Sequence, residues 1–215
     1  MKNRFIGLAI VILLSFACGC AHHKAEEPKS PQVMFDKAKT LGTKGKTQLA
    51  IDAYMEVRTI YPSHDLAKKS LLEVADLYYK DKDFESAINN YNEFMQLYPT
   101  DPEVASCIYQ TGMCHYRQMK TVDRDQAETI NAINAFKELL ARYPSSPYAG
   151  EARVKLADAE TRLAKHYIYI GNFYLKNKDY AAACDRFKEV KNLFPEIAAK
   201  ENIDDLISKA CKEDQ

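Results

Sequence analysis

Few residues of this chain are spaced to do chemistry. Gly42-Thr43-Lys44-Gly45-Lys46-Thr47 comes nearest, because a glycine-rich loop ending in Gly-Lys-Thr can wrap a phosphate with backbone N–H groups. That motif needs a glycine five residues before Gly45, where this chain has Thr40, and a strand ahead of the loop, where none is expected. The segment reads instead as a turn between two helices. The five histidines are scattered: His22 and His23 near the N-terminus, His64 after a proline turn, and His115 and His166 in separate helical stretches. None shares a helical ligand spacing with another, and no H-E-x-x-H or G-x-S-x-G occurs. Structural roles are expected for them, with no catalytic residue, metal site or cofactor.

Cysteine gives more to work with. Cys107 and Cys114 lie two helical turns apart, about 10.5 Å along an axis, too far for a disulfide. Structural zinc sites favour closer pairs, so no metal is assigned to them. Cys184 and Cys211 fall on segments that should be neighbours; an oxidised bridge and two small buried thiols both fit. Tyrosine occurs 14 times and tryptophan not at all. Tyr54, Tyr78, Tyr91 and Tyr174 fall on core positions, whereas Tyr79 and Tyr116 are candidates for lining a groove that holds an extended peptide.

Composition sets the frame for these residues. The 215 residues are 47% hydrophobic and 28% charged, with 30 basic and 30 acidic side chains. That balance suits a folded chain and argues against a nucleic-acid binder, which needs a basic face. Seven glycines are about half the usual frequency, which favours helix over the turn-rich β and α/β classes.

The first twenty residues read as an address. Lys2 and Arg4 precede twelve uncharged residues, Phe5 to Phe16, too short a stretch to span a bilayer and suited to a signal peptide. Ala17-Cys18-Gly19-Cys20-Ala21 follows and resembles a bacterial lipobox, which implies cleavage before a lipidated cysteine. Cys20, with Gly19 before it, is the preferred site; Cys18, with bulky Phe16 two residues before it, is the alternative. Neither is followed by aspartate, which for a Gram-negative lipoprotein implies the outer membrane, facing the periplasm. Two or three acyl chains, palmitate among them, anchor firmly where one alone is marginal. Residues 1–19 are assigned to the signal peptide and 20–30 to the lipidated cysteine and a flexible tether.

The remainder repeats. Tyr61-Pro62, Tyr98-Pro99, Tyr143-Pro144 and Phe194-Pro195 each close an apolar helical pattern. Ala50, Tyr54 and Pro62 are spaced four and eight apart, and so are Ala87, Tyr91 and Pro99; Ala132, Phe136 and Pro144; and Ala183, Phe187 and Pro195. Twelve residues before the alanine stands Ala38, Ala75 or Gly171, with Leu41, Tyr78 or Tyr174 three further on. This is the tetratricopeptide (TPR) pattern: small residues let helices A and B approach, the aromatic fills the gap to the next pair, and proline ends helix B. An all-α, TPR-like superhelix of about ten helices in five pairs follows, with repeats 1–2 over 31–100 and the C-terminal repeats over 101–215.

In the third repeat the small residue is Gly112, twenty rather than twelve before Ala132, so eight extra residues fall around 120–128. Between Pro144 and Pro195 there is room for an extra helix at Tyr148 to Leu163 that runs into the next helix A. Ile197 to Cys211 reads as one terminal amphipathic helix, with Ile203, Leu206, Ile207 and Ala210 on one face.

A lipobox ahead of such repeats resembles the BamD family, lipoproteins of the outer-membrane β-barrel assembly (Bam) machine. The resemblance rests on Asp123-Arg124-Asp125 in the long loop, Ala135-Phe136, Tyr143-Pro144-Ser145-Ser146-Pro147-Tyr148, Arg162-Leu163-Ala164-Lys165-His166-Tyr167, Phe173-Tyr174 and Asp185-Arg186-Phe187. It implies a non-enzymatic scaffold that binds the periplasmic domains of the barrel-forming Bam subunit through its C-terminal repeats, with other Bam lipoproteins as further partners. It also implies that unfolded outer-membrane protein substrates enter the N-terminal groove. Arg186 matches a family arginine near the barrel-subunit contact. Asp123, Arg124 and Asp125 are expected either to bind a partner or to cap the helix from Gln126 onward. The alternative function is a TPR lipoprotein of the cell envelope, in Tol–peptidoglycan division work or in pilus or secretin assembly.

Overall fold

The structure is a computed structural model that describes residues 29–213. The signal segment and both candidate lipidation sites, Cys20 and Cys18, lie outside the described residues. Ten helices make up the compact body that begins at Pro31: α1 Pro31–Thr43, α2 Thr47–Ile60, α3 Asp65–Lys80, α4 Phe84–Leu97, α5 Val104–Gln118, α6 Ala127–Arg142, α7 Ala149–Lys176, α8 Tyr180–Leu193, α9 Pro195–Lys200 and α10 Ile203–Glu213. No strand occurs among the described residues, and no helix there is long and apolar enough to cross a membrane.

The repeat is carried by two recurring joints. At the end of each helix B an aromatic residue precedes proline: Tyr61, Tyr98, Tyr143 and Phe194. All four leave the helix at φ between −127° and −136° and ψ between 56° and 61°. The proline ring forbids the α region to the residue before it, which explains the shared geometry. Each still donates its N–H to the carbonyl four residues back, on Val57, Phe94, Leu139 and Val190. Those four side chains are fully buried, so the last turn of helix B is anchored in the core as it breaks.

The second joint turns helix A into helix B. Lys46, Asp83 and Asp179 donate their N–H to Leu41, Tyr78 and Tyr174, each at 3.0 Å. The residue before the donor has positive φ in every case: Gly45 at 72°, Lys82 at 65° and Lys178 at 63°. Such a left-handed residue lets the backbone close on the carbonyls at the helix end. Asp83 and Asp179 then cap helix B, accepting from Ser86 N at 3.1 Å and Ala182 N at 3.2 Å. Gly42 to Thr47 is the first of these turns, so its lysine and glycine serve the helix reversal.

Inside each pair the small residue and the aromatic meet. A methyl group built on Gly112 would lie 2.7 Å from Phe136 Cε1, and one on Gly171 would lie 2.6 Å from Phe187 Cε1. Each ring therefore packs directly against the small residue of its own helix A. Ala38, Ala50, Ala75, Ala87, Ala132 and Ala183 are all fully buried. Tyr54 and Tyr91 are buried with them, while Tyr78 and Tyr174 are half-buried against the core edge. Pro62, Pro99, Pro144 and Pro195 stay exposed at the ends of the pairs.

Two features depart from a plain array. α7 is one helix of 28 residues, whose first half follows α6 and whose second half, through Gly171 and Tyr174, is the partner of α8. The chain after Pro195 is not one helix. It breaks at Glu201 and Asn202, with Asn202 at φ 51°, a conformation asparagine tolerates better than most residues. The break lets Ala198 of α9 join the core cluster with Phe187 and Val190 of α8 and re-aims α10, so that Ile203 and Ala210 are buried in the same cluster with Leu206 and Ile207 beside them. Cys211 is thereby brought to Cys184 with Cα atoms 5.2 Å apart, and the two form a disulfide.

Candidate partner-binding site

The third repeat has no short left-handed turn; residues 119–126 form a loop in its place. One buried side chain organises that loop from within. The Gln126 amide donates to the carbonyls of Thr121 and Arg124, each at 2.9 Å, and accepts from the Thr129 hydroxyl at 2.8 Å. Gln126 also occupies the cap position of α6, which starts at Ala127, one residue later than the sequence suggests. Asp125 accepts from Ala127 N at 3.0 Å. Asp123 takes no part in the cap: it faces Arg124 at 3.8 Å, and its carboxyl is held below the usual range by the Thr121 hydroxyl and its own backbone N–H.

α7 holds the loop from outside. Arg162 donates to the carbonyl of Lys120 at 3.2 Å, and the His166 Nδ1 lies 2.6 Å from the carbonyl of Val122. One turn earlier, Asp158 accepts from the Tyr116 hydroxyl at 2.8 Å. Asp158, Arg162 and His166 are four residues apart, so a single stripe of α7 engages α5 and then successive loop carbonyls. Each such bond contributes about 0.5–1.5 kcal/mol net, and together they fix the loop's shape. The Arg162-to-Tyr167 run and the Asp123-Arg124-Asp125 loop are thus one structural unit. Sequence reasoning named both without joining them; the spacing of 158, 162 and 166 is the signal that was there to be used.

Loop and helix enclose an open cleft of about 560 Å³ lined by Met119, Lys120, Thr121, Arg124, Asp125 and Arg162. Aromatic faces on α5 and on its neighbours α3 and α4 are covered by cations. Lys155 sits 4.9 Å above the Tyr116 ring, and Arg117 sits 5.4 Å from Tyr79 and 5.9 Å from Phe84. Burial, and then the bond to Asp158, push the Tyr116 hydroxyl above the ordinary tyrosine value.

Arg186 lies apart from the loop, on α8. It is partly exposed and pairs with Glu189 one turn on at 2.7 Å. An exposed pair of this kind is worth at most about 1 kcal/mol. The nearby Tyr167 hydroxyl is raised by burial and by Glu189, against the opposing charge of Arg186.

The remaining reactive groups are spent on structure. His64 caps α3, its Nδ1 accepting from Leu66 N at 3.1 Å. His115 faces Glu128 at 2.7 Å. Cys107 and Cys114 are buried, and burial pushes both thiols up to about 12. No group of acidic, histidine and cysteine side chains that could hold a metal occurs among the described residues.

Comparison with known proteins places this arrangement. The family model YfiO, described as an outer membrane lipoprotein, matches residues 27–210. The outer membrane protein assembly factor BamD of Caulobacter vibrioides is 30% identical over 191 residues, covering 86% of this chain and 62% of that one. The protein of the same name from Vibrio cholerae is 27% identical, covering 89% of this chain and 84% of that one. Among solved structures, the thermophilic TPR protein TTC0263 of Thermus thermophilus is 14% identical, covers 86% of this chain and 98% of that one, and has a TM-score of 0.43.

Proposed function

We propose, because the chain belongs to the YfiO family of outer membrane lipoproteins, that it is a non-enzymatic scaffold of the Bam complex that helps fold and insert outer-membrane β-barrels. The observation that carries this reading is the joined unit of loop 119–126 and α7, because it brings the Asp123-Arg124-Asp125 loop and the Arg162-to-Tyr167 run, two of the runs on which the resemblance to the BamD family rests, into contact. The relatives at 30% and 27% identity are themselves named as assembly factors of outer membrane proteins.

In this reading the chain is held at the outer membrane by acyl chains on Cys20, or on Cys18, and faces the periplasm. Its C-terminal repeats bind the periplasmic domains of the barrel-forming subunit, with Arg186 and the loop residues Asp123, Arg124 and Asp125 at the contact. Unfolded barrel precursors pass through the N-terminal groove. Catalysis has no part in it: the buried thiols are poor nucleophiles, and of the described histidines His64 caps α3, His115 faces Glu128 and His166 meets a loop carbonyl.

Affinity purification from detergent-solubilised envelope tests the reading. Recovery of a large barrel protein with periplasmic domains supports it, and loss of that protein with Arg186→Glu supports the contact. Recovery of Tol, peptidoglycan or secretin components in its place overturns the function. Mass spectrometry of the mature N-terminus tests the anchor, and unmodified Cys20 and Cys18 would refute it.

A further inference from the structure

We propose that the cleft between loop 119–126 and α7 is a receptor for an acidic side chain on a peptide segment of the partner, gripped by Arg162, Arg124 and Lys120. The proposal rests on the reading that this loop is a partner surface, and it supplies the chemistry of the contact.

Three cations line one open cleft of about 560 Å³. Among the described residues neither Arg162 nor Lys120 has a carboxylate in ion-pairing range, and Arg124 has only Asp123 at 3.8 Å. The nearby carboxylates are engaged elsewhere. Asp158 takes the Tyr116 hydroxyl, Glu128 takes His115, and Asp125 caps α6. Cations lining one cleft repel one another where no carboxylate pairs them, as for Arg162 and Lys120, and an incoming anion relieves that.

The grip is organised in advance. The Arg162 guanidinium spends one N–H on the carbonyl of Lys120, which fixes the planar group against the loop and leaves other donors free. Gln126 and His166 hold the loop's carbonyls, so Lys120 and Arg124 project from a braced backbone. Little ordering entropy remains to be lost on binding.

The lining favours a peptide over a phosphate. Asp125 is part of the wall and Asp123 is beside Arg124, and their negative charge opposes a doubly charged oxyanion more than a single carboxylate. The same Asp125 can accept a peptide N–H, the Thr121 hydroxyl, whose proton goes to Asp123, can accept another, and Met119 offers an apolar floor. Cations, an acceptor and an apolar surface together match a carboxylate side chain with its backbone.

The test uses the mature full-length chain in detergent, labelled with ¹⁵N-arginine. The probes are a capped peptide, acetyl-Gly-Glu-Asp-Gly-amide, its Gln/Asn analogue, inorganic phosphate, and micelles doped with phosphatidylglycerol. Saturable shifts of the Arg124 and Arg162 Nε–H signals with the acidic peptide alone support the site. Arg162→Gln should weaken that binding about tenfold, the loss of one charge-assisted hydrogen bond. Arg124→Gln, whose guanidinium holds no loop carbonyl, should weaken it with the melting temperature unchanged. No shift, or equal shifts with the amide analogue, overturns the proposal. Stronger shifts with phosphate or with the doped micelles also overturn it, assigning the cleft to a free anion or to a lipid headgroup respectively. Co-purification separates this from the functional reading: a barrel protein recovered equally by wild type and Arg162→Gln, without peptide shifts, removes the site and leaves the function. Peptide shifts with a different envelope partner recovered would do the reverse.

Discussion

Gly112→Ala places two opposed effects in one position. Alanine is a better helix residue than glycine by about 1 kcal/mol, so the change alone would stabilise α5. The added methyl would lie 2.7, 2.9 and 3.2 Å from three carbons of the Phe136 ring. That ring is fully buried, with Tyr109 and Tyr116 centroids 6.2 and 6.3 Å away, and it cannot swing out of the way. Overpacking of this kind costs about 1–3 kcal/mol, so the net is a loss of about 1 kcal/mol. For a chain of this size that lowers the melting temperature by about 2–4 °C. Gly150→Ala is the control: nothing lies within 4 Å of its added methyl, and a gain of about 0.4–1 kcal/mol is expected. The decisive assay is urea unfolding of Gly112→Ala, Phe136→Leu and the double variant. Leucine opens space that the alanine methyl partly fills, so the double variant should exceed the sum of the singles by about 1 kcal/mol. Additive singles, or a Gly112→Ala variant as stabilised as Gly150→Ala, would refute the packing argument.

Other consequences follow from the same structure. Reducing the Cys184–Cys211 bond, or Cys184→Ser, removes a link across 27 residues and should cost about 3.5 kcal/mol by chain entropy, read as a lower melting temperature with dithiothreitol. Cys107 and Cys114 should resist iodoacetamide at pH 8 in the native chain and react once it is unfolded, because burial raises both thiols to about 12. Gln126→Ala strips two carbonyls and the Thr129 hydroxyl of their partner and should cost about 1–3 kcal/mol, with faster hydrogen exchange across 119–126. Asp101 is held below the usual carboxylate range by the Lys68 ammonium at 2.7 Å and by the Glu103 N–H. A depressed carboxyl stabilises the fold above its unfolded value and stops doing so as the pH falls through the native one. Stability should therefore fall below about pH 3.8 in the wild type, with a shallower acid limb in Asp101→Asn.

The sequence by itself determined the elements. Proline fixes where each helix B must end, because it lacks an N–H and restricts its predecessor; four aromatic-proline pairs therefore located four joints. The alanine–aromatic spacing of four is a property of one helix face, so it too is visible along the chain. Family resemblance was likewise legible, since it lay in contiguous runs such as Arg162 to Tyr167. What the tertiary structure decided are relations between segments far apart in the chain. Arg162 and His166 meet carbonyls 42 and 44 residues away, and a linear pattern has no term for a carbonyl at that distance. The break at Asn202 costs local helix and is repaid only by burying Ile203 and Ala210 and bringing Cys211 to Cys184, so local propensity favoured one helix where packing required two. The cleft exists for the same reason: Lys120 reads as an ordinary loop charge, and Arg124 as a candidate contact with no neighbour assigned, until α7 folds across and sets Arg162 beside them.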